Sequence, residues 1–211
     1  MIIGIDAASA DVSIALLEPD GEVMDADGWP SAQRQSAELL PRLMDLLRRA
    51  DRELASTSLV AVGTGPGSFT GLRVAMALAK GLAVGLGRPI IGIGSLHAWL
   101  DGVEPAQAAL ARAGAHEAYL LARDADAPVV IGEAAVRERL ANVPVVAPTE
   151  LAAAFGLERA VVPHAAMAIA ERARRRLLDD PAGEDVRSLE PIYLRPPRGL
   201  DATTPETVRW L

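Results

Sequence analysis

Two stretches of the chain carry residue types that could do chemistry. "GIDAAS", Gly4 to Ser9, puts the carboxylate of Asp6 at the end of a strand-like run, followed by small residues and a return strand. One carboxylate with small neighbours can ligate a metal ion, but by itself it is thin evidence of a site. "VGTGPGSFTGLR", Val62 to Arg73, sets four glycines and a proline between an apolar run and a helix-like run. It fails the phosphate-loop pattern because no Lys-Ser/Thr follows the glycines. It fails the dinucleotide fingerprint because Ser68 stands where a glycine is needed. What remains is a strand, a tight turn and a helix N-terminus with Ser68 or Thr70 as cap, whose free N–H groups can bind an anion. Asp6, Gly65, Gly67, Ser68 and Thr70 are the candidate phosphate-contacting residues, and a plain strand-to-helix turn is the alternative.

Other chemistries are thinly provided for. The chain has no cysteine, which excludes disulfides, thiolate zinc sites and cysteine nucleophiles together. His97, His116 and His164 share no helical spacing, and no Ser-His-Asp arrangement follows from their positions. No metal site and no cofactor are expected. A net charge of −7, with three tryptophans, two tyrosines and two phenylalanines, is a poor basis for gripping RNA alone. The basic knot of Arg172, Arg174, Arg175 and Arg176 reads as a solvated helix face. No apolar run reaches membrane-spanning length and "MIIGID" is not a signal peptide, so the expectation is a soluble, cytoplasmic protein.

The elements that must position these residues follow from hydrophobic period. Met1 to Asp6 and Val12 to Leu17 read as strands, and "EPDGEV" is a turn into a short third. A helix follows from about Ser36, a plausible N-cap, to Arg49; Pro41 would place its start nearer Leu40. Leu59 to Gly63 is a fourth strand, Ser68 to Leu86 a second helix, and Pro89 to Ile93 a fifth strand. Three strands, helix, strand, helix, strand is the order of a ribonuclease-H-like α/β half. Beyond it, Ser95 to Ala113 reads as largely helical, Ala118 to Arg123, Pro128 to Ile131 and Val143 to Val146 as strands, and Ala165 to Leu178 as a helix. No internal repeat is visible.

Both N-terminal helices carry more apolar surface than one sheet needs. Leu39, Leu40, Leu43, Met44, Leu46, Leu47 and Ala50 spread over an arc of roughly 160°. In "GLRVAMALAKGLAVGLG" only Arg73 and Lys80 are charged, while Gly71, Gly81 and Gly85 cluster with Val74 and Leu78. Either a second domain covers these helices, or they meet another polypeptide. The expected interface is Leu39, Leu43, Met44, Leu46 and Leu47 on the first, with Gly71, Val74, Ala75, Leu78, Leu82 and Gly85 on the second.

"IIGIDAASADVSIALL", "VAVGTGPGSFTGLRVAMALAKGLAVGLGRPIIGIGSL" and "LEPIYLRPP" together resemble the TsaB (YeaZ) family. The resemblance is strong from Met1 to about Leu100, thin from Asp101 to Asp185, and returns at Leu189 to Arg195. It implies the sugar-kinase/heat-shock-70/actin superfamily, with two subdomains of which the second is reduced. Residues 1–100 would be a ribonuclease-H-like domain carrying the dimerisation helices, 101–195 a smaller diverged domain, and 196–211 a tail packing back on the first.

The resemblance also implies a role: a non-catalytic subunit that pairs with TsaD through the two N-terminal-domain helices. TsaD transfers a threonylcarbamoyl group to N6 of adenosine 37 in tRNAs reading codons that begin with A. The pair recruits the ATPase TsaE; the subunit alone would self-associate, and tRNA would be met only indirectly. The glycine loop would then be vestigial. Laid on the catalytic relative's His-x-x-x-His segment, this chain has Ser95 and Trp99 in the two metal-histidine places, and neither is a competent ligand. Two departures stand out: Gln35-Ser36-Ala37 where many members have His-Ser-Glu, and "RAGAHEAY" (Arg112 to Tyr119), which keeps only Glu117 and Tyr119 of a common segment. The competing expectation is a small actin-like-fold enzyme, a kinase or metallopeptidase, acting alone.

Overall fold

The computed structural model describes residues 1–31, 34–161 and 164–194. The expected tail, 196–211, lies outside them. The first half runs β1 (Ile2–Asp6), β2 (Asp11–Leu17), β3 (Val23–Pro30), α1 (Gln35–Arg49), β4 (Leu59–Gly63), α2 (Phe69–Leu86), β5 (Ile90–Ile93) and α3 (Ser95–Asp101). Its sheet has the order β3-β2-β1-β4-β5, antiparallel across β3, β2 and β1 and parallel from β1 through β5. β1, β2 and β4 are buried along their whole length because both faces of this sheet are covered.

The second half repeats that plan. β6 (Ala108–Arg112), β7 (Glu117–Ala122) and β8 (Val129–Gly132) form an antiparallel meander. α4 (Glu133–Leu140), β9 (Val145–Val146), α5 (Thr149–Phe155), β10 (Ala160–Val161) and α6 (Ala166–Asp179) follow. The sheet order is β10-β9-β6-β7-β8, with β9 parallel to β6 and β10 parallel to β9. Read from its first strand outward, this is the same topology as the first half. The sequence shows no repeat, so the duplication is one of topology alone. Ser95 to Ala113 is also corrected: α3 stops at Asp101, and the rest is a loop into β6.

The closing helix of each half crosses to the other. α6 lies on β1, β2, β4 and β5, whereas α3 lies on β6 and β7 and touches α6. Two apolar clusters sit on the outer faces of the sheets, under α1/α2 and α4/α5, and a third fills the space between the halves. Gly4 is what lets α6 come this close, since a Cβ there would overlap the Ala166 carbonyl oxygen. Gly4→Val is therefore expected to destabilise the protein by about 3 kcal/mol in urea unfolding, by forcing backbone apart in a packed core.

α1 begins earlier than its proline suggests. Arg34 is the N-cap residue without a side-chain cap, and Ser36 lies inside the first turn. Pro41 is tolerated in the second turn because it and Ala37 are exposed, so the Ala37 carbonyl left without its N–H partner can meet water. α2 is, by length and composition alone, apolar enough to cross a bilayer, contrary to the reading that no run is. Here it lies along β4, with contacts to β1 and β5.

Candidate functional site

Asp6 ends β1 with 1% of its surface exposed. Ser95 Oγ donates to its Oδ1 at 2.8 Å and Trp99 Nε1 donates to its Oδ2 at 2.7 Å. The Ala8 N–H adds a third hydrogen bond. Ser95 Oγ in turn accepts the Gly65 N–H at 3.0 Å. Burial pushes the Asp6 carboxyl above its ordinary value, and the hydrogen bonds from Trp99, Ser95 and Ala8 offset only part of that rise. Asp6, Ser95, Trp99 and Gly65 thus form one closed node joining β1, the glycine loop and α3.

The fit of a metal ion to this place can be judged directly. The Trp99 indole nitrogen is a donor only, and the Ser95 hydroxyl, which gives its proton to Asp6 and accepts the Gly65 N–H, is a poor ligand for such a metal. Among the described residues no three His, Asp or Glu side chains converge as a ligand set. The residues present do not fit the metal of the catalytic relative.

The glycine loop is braced by the rest of the chain. The Ser68 N–H donates to the Ala8 carbonyl at 2.7 Å, and Ser68 Oγ accepts the Gly71 N–H at 3.2 Å. A Cβ at Gly67 would overlap the Ala8 carbonyl oxygen, and one at Gly71 the Ala7 carbonyl oxygen. Gly65 holds φ at 89°, where a side chain would be strained. Ser68 is the cap and Thr70 is exposed. The N–H groups of Gly65, Ser68 and Gly71 are committed within the chain, and the turn they brace aims α2.

The basic knot is also committed. Arg172 pairs with Asp101, Arg174 and Arg175 with Glu171, and Arg176 with Glu184 and the Gly92 carbonyl. Arg174 and Arg175 hold the Glu171 carboxyl down at about 2. Each of these arginines has an acidic partner in the chain.

The interface residues expected on α1 and α2 separate into two groups. Leu39, Leu43, Leu46 and Leu47 are at most 1% exposed and fill the cluster between α1 and the first sheet. Ala75 and Leu82 are buried in the same cluster, and Gly71 is buried against Ala7. These side chains are buried within the chain, so they underlie the outer face of α1 and α2. Met44 and Gly85 are exposed, and Val74 and Leu78 are half-buried.

Sequence reasoning missed the neighbours that complete the outer face. Leu40 and Met44 are 45% and 46% exposed, and Val84 is 69% exposed. Pro41, Ala77 and Gly81 are exposed beside them. Nothing lies within 4 Å of a Cβ built on Gly81 or Gly85. The available signal was helical phase: once Leu39, Leu43, Leu46 and Leu47 are taken as one buried face, Leu40 and Met44 fall outside it.

Comparison with known proteins places this geometry among relatives. Residues 30–175 match the family model described as TsaD: tRNA N6-adenosine threonylcarbamoyltransferase. The chain is 36% identical over 101 residues to the tRNA threonylcarbamoyladenosine biosynthesis protein TsaB of Escherichia coli, covering 48% of this chain and 43% of that one. It is 34% identical over 95 residues to the TsaB protein of Bacillus subtilis, covering 45% and 41%. The chain thus spans less than half the length of these curated relatives. Among solved structures, YeaZ from Pseudomonas aeruginosa superposes with a TM-score of 0.69 at 24% identity, over 92% of this chain and 99% of that one. That likeness is one of fold.

Proposed function

Since the chain belongs to the tRNA N6-adenosine threonylcarbamoyltransferase (TsaD) family, on its TsaB (YeaZ) side, we propose that it is a non-catalytic scaffold subunit for tRNA threonylcarbamoylation. In this reading it binds TsaD in the cytoplasm through the outer face of α1 and α2, holds it in a competent conformation, and helps form the surface that recruits TsaE. In isolation the same face pairs two copies of the chain.

The observation that carries the reading is that outer face. Leu40, Met44 and Val84 expose apolar surface around Gly81 and Gly85, where an added Cβ would face open space among the described residues. Each glycine costs helix stability by roughly 1 kcal/mol relative to alanine. A second backbone approaching closely would make use of both. The Asp6 node supports the absence of chemistry: its polar groups are consumed by one another instead of facing a substrate.

The test is co-expression of the chain with the TsaD and TsaE of its own organism. A stable complex and restored threonylcarbamoylation in a strain lacking the subunit are expected. Failure to co-purify, or threonylcarbamoylation by TsaD unaffected by the chain, overturns the scaffold role.

A further inference from the structure

Arg73 is held differently from the arginines of α1. Arg42, Arg48 and Arg49 each meet an aspartate. Arg73, exposed near the start of α2, has no carboxylate within ion-pair distance among the described residues, although the chain carries 28 Asp and Glu. Two rings hold it instead. Its guanidinium carbon lies 3.9 Å from the centre of the Phe69 ring and 5.7 Å from that of Tyr193. Its Nε donates to the Tyr193 hydroxyl oxygen at 2.9 Å, and the two rings, 5.4 Å apart, are tilted at 42°. Tyr193 is brought here from beyond α6 by Leu189, buried in the cluster under α1 and α2, and by the Ile192 N–H, which donates to the Thr64 carbonyl at 2.8 Å.

A long, flexible cation is thus fixed in one orientation by groups that are not its counter-charge. Fixing it costs rotamer entropy, of which the cation–π contacts return a part. The Nη1 and Nη2 edge, which pairs a carboxylate side by side, makes no hydrogen bond among the described residues. The Tyr193 hydroxyl, having accepted from Nε, keeps its own proton to donate. Arg73, Ala77 and Gly81 are all exposed and follow one another every four residues, so Arg73 stands about 12 Å from Gly81 along the same face of α2. Phe69, Ile192 and Leu194 expose apolar surface beside it. Arginine set among exposed aromatic rings is the composition in which binding energy concentrates at protein interfaces.

We propose that Arg73, held by Phe69 and Tyr193, is the charged anchor of the α1–α2 outer face and takes a carboxylate side chain of the partner protein on its Nη edge. The inference rests on the proposed function, in which that partner is TsaD, and adds the chemistry by which the face selects it. A protein carboxylate fits better than an RNA phosphate because the surface continuing from Arg73 is apolar and the chain carries a net charge of −7.

The experiment measures TsaD affinity by calorimetric titration with the full chain and with Arg73→Gln, Tyr193→Phe and Gly81→Arg, each shown folded by thermal unfolding, at about 50 mM and about 300 mM NaCl. Arg73→Gln should weaken binding about tenfold at the lower salt and flatten the loss of affinity that the wild type shows between the two. Tyr193→Phe keeps the ring and drops the hydroxyl, so it should weaken binding about threefold with the salt response retained. Full affinity in Arg73→Gln, or a loss with the wild-type salt response intact, overturns the anchor. If Gly81→Arg fails to bind in that case, the scaffold reading stands without it. A wild-type chain that does not bind TsaD overturns both. Arg73-dependent retardation of tRNA by the chain alone, with TsaD affinity unchanged in Arg73→Gln, assigns the cluster to a phosphate and overturns the proposal as well.

Discussion

Gly81→Arg is expected to abolish co-elution with TsaD while leaving the chain folded. The site tolerates the side chain in the free subunit because nothing lies within 4 Å of a Cβ there. Arginine also favours helix more than glycine does, so the isolated chain should keep or slightly gain stability. In the complex the guanidinium would be driven into an apolar contact between Met44 and Val84. Desolvating it without a partner should weaken binding at least about 100-fold, or about 3 kcal/mol. Met44→Asp should act in the same direction from α1.

Leu43→Asp is the informative contrast. Leu43 is fully buried beneath α1, so an aspartate there places an unpaired charge in the core and should unfold the chain outright. Loss of complex in that variant would say nothing about the interface. Size-exclusion chromatography with TsaD, run beside circular dichroism of each variant alone, separates the two cases. A Gly81→Arg chain that still co-elutes with TsaD puts the partner elsewhere.

How much of this was legible depended on whether a signal was local. β1, β2, β4 and β5 were readable as apolar runs because each is buried on both faces, and Ser68 was readable as a cap. The topology of the second half was not. β9 was legible as the apolar run Val143 to Val146, but β10 is two residues, too short for any period to register, and α4 has only Val136 fully buried. The excess of apolar residues on α1 and α2 was visible, but its division was not. Leu39 and Leu40 are neighbours in sequence, and only the packing of α1 on the first sheet buries one and exposes the other.

The Asp6 node gives the second large effect. Asp6→Ala would strip the acceptor from Trp99 Nε1, Ser95 Oγ and the Ala8 N–H and leave a void between β1 and α3. Three buried donors left unmatched, at roughly 1–3 kcal/mol each, should cost about 5 kcal/mol in urea unfolding. Asp6→Asn should behave differently. Its Oδ1 can still accept from Trp99, and its amide can donate to Ser95 Oγ, so most of the node survives. The asparagine also removes a titration. Burial raises the Asp6 carboxyl in the folded state, so at mildly acidic pH the folded protein keeps a proton that the unfolded chain has released. Stability of the wild type therefore falls as pH rises from the ordinary carboxylate value, about 4, through the elevated folded value. Above that the loss is complete and constant. Asp6→Asn lacks this slope, so its stability relative to wild type should climb across the same interval and then level off. Urea unfolding of both proteins from pH 4 to pH 8 measures the difference. Parallel stability curves would show that Asp6 is ionised throughout, with its three hydrogen bonds outweighing its burial.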